Sequence, residues 1–401
     1  MSSLSISNYF PFSRVKITEQ SVYREEKLSS LIKLVPDKRY VPLCHECGSG
    51  ATTVHSKDHL RILRDLNIAD SQTWLQVEYR KIWCENCGGV RVEQLSFADA
   101  SKRVTQRLAR YVYDLCKVMT VQDVAEHLDL DPKTVKNIDK TFLEQEYGVT
   151  DCDNLRILAI DEIAVRKGHN YMTVVMDYMT GKIIWMGENR DKETLDAFFR
   201  IMTKKQKKSI EAVAMDMWEP FINRVKHHIP QAKIVFDFFH VVQSFGKVID
   251  EVRKQEYEKA NNQDKQVLKG SKYLLLMNEE NLKDSQKEHL ENVLELNSTL
   301  NTLYVLKDHL KLIYFYSDRD IVKQTLDQWC DMAATLKNAA VDKFINKLRK
   351  HQYGIIEHAD YPIGTSILEG ANNKIKVIKR KAYGFHDMDY FTLKVKQAFD
   401  N

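Results

Sequence analysis

Ile157-Leu-Ala-Ile-Asp161, Ala212-Val-Ala-Met-Asp216 and Lys233-Ile-Val-Phe-Asp237 all fall within residues 157–237, and each is a short apolar run that closes on an aspartate. Short apolar runs between polar flanks read as buried strands. Around them, Tyr171 to Met176 and Lys182 to Met186 flank the turn Met179-Thr-Gly181 as a hairpin, while Asp191 to Met202 and Pro220 to His228 repeat at helical spacing. Strands alternating with helices predict an α/β core. In an open α/β sheet, ligands bind beyond the carboxyl ends of the strands. Asp161 and Asp216, each at such an end, converge if their strands are neighbours.

Two carboxylates a few ångströms apart are costly unless protons or cations neutralise them. Two divalent cations, magnesium or manganese, with open coordination positions are the natural counter-charge. Glu162 adjoins Asp161 but falls on the opposite strand face. Asp237 is an alternative metal ligand and His240 an accessory contact for a substrate phosphate. The simpler reading makes Asp237 a helix cap and His240 a polar core residue.

The third carboxylate is expected at Glu369, in Thr365-Ser-Ile-Leu-Glu-Gly-Ala-Asn-Asn-Lys-Ile-Lys-Val-Ile-Lys-Arg-Lys381. Leu368, Ala371, Ile375 and Ile378 recur as one buried stripe. Glu369, Asn372 or Asn373, Lys376, and Lys379 or Arg380 form a neighbouring one. One helix face thus carries an acid followed by basic groups suited to a DNA backbone. The competing reading is a capping box, Ser366-Ile-Leu-Glu369, in which Glu369 serves only its own helix. The basic helix and the two strand-end aspartates favour metal ligation.

Cys44-His-Glu-Cys47 and Cys84-Glu-Asn-Cys87 are two C-x-x-C pairs, and the chain has seven cysteines in all. Two such knuckles supply a closed tetrahedral set for one structural zinc ion, with Gly48 and Gly88 easing the turns. The gap of 36 residues between the pairs is long, so His45 or His55 is a conceivable substitute ligand. In a reducing compartment this spacing favours a metal over disulfides.

Thr120-Val-Gln-Asp123 is a capping box that opens a helix with Val121, Val124, Ala125 and Leu128 inward. Asp129-Leu-Asp131 is a turn, and Asp131 caps a second helix with Pro132 at its first position. Val135 and Ile138 face inward. Lys133, Thr134, Lys136, Asn137 and Lys140 face outward, as on a helix laid in a major groove. The alternative is an ordinary helical hairpin with a solvated face.

The chain of 401 residues is long enough for two or three domains, and 43% apolar content supplies a core. Its net charge of +4, from 60 basic against 56 acidic residues, does not itself point to nucleic acid, so local clusters carry that argument. No signal peptide or membrane-length apolar run is visible, which predicts a soluble cytoplasmic, nucleoid-associated protein without a membrane partner.

With these motifs in place, the chain resembles the DDE transposases of bacterial insertion sequences, of the ISL-three type. The likeness rests on the cysteine pairs, Ala159-Ile-Asp161-Glu, Met215-Asp216-Met-Trp, Asp237-Phe-Phe-His240 and Glu369-Gly-Ala-Asn-Asn-Lys-Ile-Lys-Val-Ile-Lys-Arg380. It implies a ribonuclease-H-like catalytic core with a helical insertion, preceded by a zinc finger and a helix-turn-helix. It also implies Asp161, Asp216 and Glu369 as the catalytic triad. Asn373, Lys376, Lys379 and Arg380 would contact DNA alongside Lys133, Thr134, Lys136 and Asn137. The substrates would be the terminal inverted repeats of the element and target DNA, held by a homo-oligomer. Strand cleavage and strand transfer would both be in-line phosphoryl transfers. Two rival functions share the binding modules: a DNA-binding regulator derived from a transposase, and a nuclease that does not join. The expected domains are an irregular arm (1–40), a four-cysteine finger (41–92), a helix-turn-helix (100–148), a first core part (151–244), a helical insertion (245–357) and a second core part with the Glu369 helix (358–401). Trp329 in the insertion is expected to anchor packing rather than brace DNA.

Overall fold

The computed structural model describes residues 6–166, 170–363 and 366–400, and divides the chain into two compact units, Met1–Glu146 and Tyr147–Asn401. The first unit is built on strands β1 (Val15–Arg24), β2 (Leu28–Pro36), β3 (Val54–Ile68), β4 (Ser71–Cys84) and β5 (Gly89–Val92). They form a sheet of order β1-β2-β4-β3, with β5 paired to β4. Two strands therefore occupy the stretch whose sequence suggests an irregular arm. In β2 every second residue, Ser30, Ile32 and Leu34, is buried. A serine in that alternation and the lysine between the two apolar residues mask the period of two in the sequence. β2 then runs parallel to β4, and Ile32 and Leu34 join Leu63, Leu75 and Val77 in one core.

Three helices complete this unit: α1 (Gln106–Cys116), α2 (Val121–Leu128) and α3 (Pro132–Tyr147), whose last residue opens the second unit. The reciprocal Thr120–Asp123 capping box starts α2, and Asp129 ends it in the left-handed region at φ 53°. Asp131 accepts the Thr134 N–H at 3.0 Å, as expected of a cap worth about 1 kcal/mol. Val124, Ala125, Leu128, Val135 and Ile138 share a core with α1, while Val121 lies at its margin. The buried Asp65 of β3 accepts the Thr105 hydroxyl at 2.6 Å and pairs with Arg107, tying α1 to the sheet.

The second unit is a five-stranded mixed sheet of order β10-β9-β6-β7-β8. Its strands are β6 (Ile157–Arg166), β7 (Asn170–Asp177), β8 (Ile183–Glu188), β9 (Ala212–Met215) and β10 (Lys233–Phe236). β6, β7 and β8 pair antiparallel, whereas β6, β9 and β10 run parallel. Helices α4 (Lys192–Ile201), α5 (Lys204–Ser209) and α6 (Glu219–His228) lie between strands in the chain. Residues of alternating parity feed two cores. Leu158, Ile160, Val213, Met215, Ile234 and Phe236 pack with α4, α6 and the helices that follow β10. Ala159, Ile163, Ala212, Ala214 and Val235 pack on the other face with α14 (Ser366–Lys381) and α15 (Met388–Ala398).

The helical segment after β10 starts at Phe238, directly behind Asp237, earlier than the change of character visible in the sequence. It comprises α7 (Phe238–Lys259), α8 (Asn262–Leu268), α9 (Lys272–Leu276), α10 (Asp284–Leu296), α11 (Ser298–Leu312), α12 (Arg319–Ala334) and α13 (Ala339–Ile356). Trp329 is buried in it, its indole N–H donating to the Leu306 carbonyl at 2.8 Å, so packing is its role. α13 lies close on β10: a Cβ at Gly354 would stand 2.4 Å from the Phe236 ring and 3.0 Å from the Ile234 carbonyl. Among the described residues no helix is long and apolar enough to cross a membrane.

Candidate metal and active sites

The loop after β2 and the β4–β5 turn bring four thiols together. Cys44, Cys47, Cys84 and Cys87 place their sulfurs within 4.8 Å of one another, with 3.5 Å between Cys47 and Cys84 and 3.9 Å between Cys44 and Cys87. Gly48 and Gly88 take φ of 72° and 65°, the left-handed turn each knuckle needs. The long gap between the pairs is filled by the β3–β4 hairpin, so no histidine is required. His45 instead turns its Nδ1 to the Val92 carbonyl at 3.1 Å, and His55 is exposed on β3. The crowded sulfurs split in acidity. Hydrogen bonds from Ser49 and Asn86 lower Cys47 to about 5, while its thiol neighbours and burial push Cys87 up to about 12. This set could hold a metal ion, and four thiolates around one cation would remove that competition for protons.

On α3, Lys133 and Asn137 are exposed, and Thr134, Lys136 and Lys140 are half-buried. The sequence-expected outward residues are thus all at least partly open to solvent, while Val135 and Ile138 are buried.

The carboxylates are set by strand register. The parallel β6–β9 ladder ends at Ala159↔Ala214, and the β9–β10 ladder ends at Met215↔Phe236. Asp161 and Asp216 each follow the first ladder by two residues, and Asp216 and Asp237 each follow the second by one. The three therefore stand level across neighbouring strands. They share parity with Ala159, Ala214 and Val235, so they project on the face that α14 covers. Asp161 is not at the end of its strand, however. β6 continues to Arg166 in the β7 hairpin, where Asp161 pairs with Val174. Only the parallel pairing stops before it, because Glu162-Ile-Ala keeps the alternation that the hairpin uses.

Asp161 accepts the Asn372 side-chain N–H at 2.6 Å and the Glu162 backbone N–H at 2.7 Å. Burial raises its pKa, and Asp216 adds to that, while His240 and these hydrogen bonds oppose it. Asp237 is buried and caps α7, accepting the Phe239 and His240 N–H groups at 2.7 and 3.4 Å. Burial is the main reason its pKa is pushed up to about 6. His240 reaches back between the acids, its Nδ1 3.9 Å from Asp216 and 3.8 Å from Asp237, buried and without a hydrogen-bond partner. Acids held up by burial and mutual repulsion, with an unsatisfied imidazole nitrogen beside them, fit a place for cations.

Glu369 is exposed on α14, one turn before Asn372 and on the same side of the helix. Asn372 brings that helix to Asp161, a role the sequence leaves undivided between Asn372 and Asn373. Asn373, Lys376 and Arg380 are exposed along the helix, and Lys379 is half-buried. The side chain of Ser366, on which the capping-box reading of Glu369 depends, lies outside the described residues. The four cysteines are the only group of three or more such ligands within 4.8 Å of one another among the described residues. Asp161, Asp216 and Asp237 are brought level, and Glu369 lies on the covering helix, one turn before the Asn372 that contacts Asp161.

Comparison with known proteins assigns this arrangement a class. Residues 158–395 match the model of a transposase family, and residues 93–143 match the helix-turn-helix domain of transposase family ISL3. The chain is similar to the transposase for insertion sequence element IS1001 of Bordetella parapertussis, 39% identical over 90% of this chain and 89% of that one. It is also similar to the transposase for insertion sequence element IS1557 of Mycobacterium tuberculosis, 24% identical over 88% of this chain and 85% of that one. The protein is a DNA transposase, an enzyme that cuts and joins DNA strands with the help of divalent metal. It belongs to the ISL3 family of DDE transposases.

Proposed function

We propose that the chain binds the terminal inverted repeats of its own insertion sequence, cleaves there, and joins the freed ends to target DNA. The observation that carries this is the level row of acids, Asp161, Asp216 and Asp237, on the face that the basic helix α14 covers. The strand order supports a ribonuclease-H-like core, with three antiparallel strands followed by two parallel ones. Asp161, Asp216 and Glu369 are the catalytic carboxylates on this reading, and Cys44, Cys47, Cys84 and Cys87 hold a structural zinc ion.

Two divalent cations, magnesium or manganese, held by the three carboxylates would stabilise the attacking and leaving oxygens of an in-line transfer. Asn372 orients Asp161 by its hydrogen bond, and His240 keeps its buried Nδ1 against Asp216 and Asp237. Asn373, Lys376, Lys379 and Arg380 lay the DNA backbone along α14. Lys133, Thr134, Lys136 and Asn137 of α3 read the repeat. The chain works as a homo-oligomer on DNA, in solution at the nucleoid.

Labelled element ends incubated with a target plasmid in magnesium test the whole reading. Cleavage with joining is expected from the natural chain. Binding without cleavage would instead make it a regulator, and cleavage without joining a nuclease. Asp237, level with Asp216, is the second candidate for the third ligand.

A further inference from the structure

Arg190 follows β8 and is restrained from three sides. Asn189 before it takes φ 74°, a left-handed conformation costly for a residue with a side chain. The Asn189 N–H donates to the Tyr171 carbonyl at 2.8 Å, and its own carbonyl accepts the Thr173 hydroxyl at 2.8 Å. This turn carries the chain back across β7 and sets the Arg190 guanidinium 4.3 Å from the centre of the Tyr171 ring and 5.3 Å from that of Trp218. Glu162 receives Nη1 at 3.0 Å, which is the only hydrogen bond of this guanidinium among the described residues. The second carboxylate oxygen of Glu162 is buried without a partner.

The cluster stands beside the acids in the chain. Trp218 is two residues past Asp216 and donates its N–H to the Asp216 carbonyl at 2.8 Å; Glu162 adjoins Asp161 on the opposite face of β6. Arg190 nevertheless remains 40% exposed, with unused donors on a planar fork whose spacing matches phosphate oxygens. Cation–π contact with two rings restrains the guanidinium without occupying its donors. An exposed arginine with no ligand gains little from such a frame, since exposed ion pairs contribute only about 0–1 kcal/mol.

We infer that Arg190, framed by Tyr171 and Trp218 and counterbalanced by Glu162, anchors a phosphodiester of the DNA strand beside the bond that is cut. It is a strand-positioning residue, and the inference rests on the proposed active site at Asp161 and Asp216. α14 holds the backbone on one face of the sheet end, and Arg190 fixes the same strand on the other.

The test uses the full-length chain and a duplex of one element end with its flank, in which neutral methylphosphonates replace single phosphates around the cut. Single-turnover cleavage is measured in magnesium and gel-shift affinity in calcium. Arg190→Ala is expected to slow cleavage by about 10–100-fold, the loss of a charged hydrogen bond, with affinity changed less than about twofold. At one position the methylphosphonate should slow the natural chain by a similar factor and leave Arg190→Ala unaffected. Arg190→Lys, which keeps the charge without the fork, should recover only part of the rate; it serves for the same cycle if the alanine variant unfolds early. Equal slowing of both proteins by every methylphosphonate would overturn the inference, as would cleavage by Arg190→Ala at the natural rate. Failure of the active-site reading gives a different result: Asp161→Asn would then cleave normally.

Discussion

The hydrogen bond from Asn372 to Asp161 joins positions 211 residues apart, and it decides how Glu369 should be tested. Glu369→Gln keeps the side chain's shape and its capacity to cap, but removes the charge a cation needs. The expected outcome is an unchanged melting temperature, unchanged DNA binding, and cleavage and joining lowered by at least ~100-fold. Near-normal cleavage by that variant would move the third ligand to Asp237. Asn372→Ala should leave the α14 cation row intact yet slow cleavage by about 10-fold, because an oriented, buried carboxylate loses its donor. Asp161 and Asp216 were legible in the sequence because each closes a short apolar run, although β6 continues past Asp161. The choice between Asn372 and Asn373 was not, since both fit the stripe and only the packing of α14 on β6 separates them. Arg190 and Glu162 carried no signal of a partnership, because their 3.0 Å contact depends on the left-handed turn at Asn189.

Elements that announce themselves by side-chain chemistry were the easier ones to read. The Thr120–Asp123 box and the Asp131 cap fix the starts of α2 and α3 by local hydrogen bonds that the sequence spells out. β1 and β2 were not legible, because β1 is mostly exposed and β2 earns its place only by pairing with β4. The length of β6 was hidden likewise: an acid pair interrupts its apolar run, and the hairpin partner carries it onward. For α3, replacing Lys133, Lys136 and Asn137 together by alanine should weaken end binding and lower the salt dependence by about two phosphate contacts, read from affinity against salt concentration. Unchanged end binding would remove this helix from the DNA interface. For α13, Gly354→Ala drives a Cβ into the Phe236 ring and the Ile234 carbonyl, neither of which can yield cheaply. A loss of about 1–3 kcal/mol in unfolding free energy is expected, measured by denaturant titration.

Across the whole molecule, the two compact units should unfold as separate transitions. One zinc ion per chain is expected by elemental analysis, and Cys44→Ser or a strong chelator should lower only the transition of the first unit. A single transition that moves as one on chelation would show that the units are not independent in stability. The long run of helices from α7 to α13 has a different consequence, one for inheritance. It places Glu369 and its helix far downstream of Asp161 in the reading frame, and the four-cysteine set and the helices α1 to α3 upstream of both. A nonsense or frameshift mutation anywhere within those helices spares the four-cysteine set and α1 to α3 while deleting Glu369. Such an allele would encode a protein that occupies the element's ends without cutting them, so a decayed copy would silence its intact siblings in the same genome.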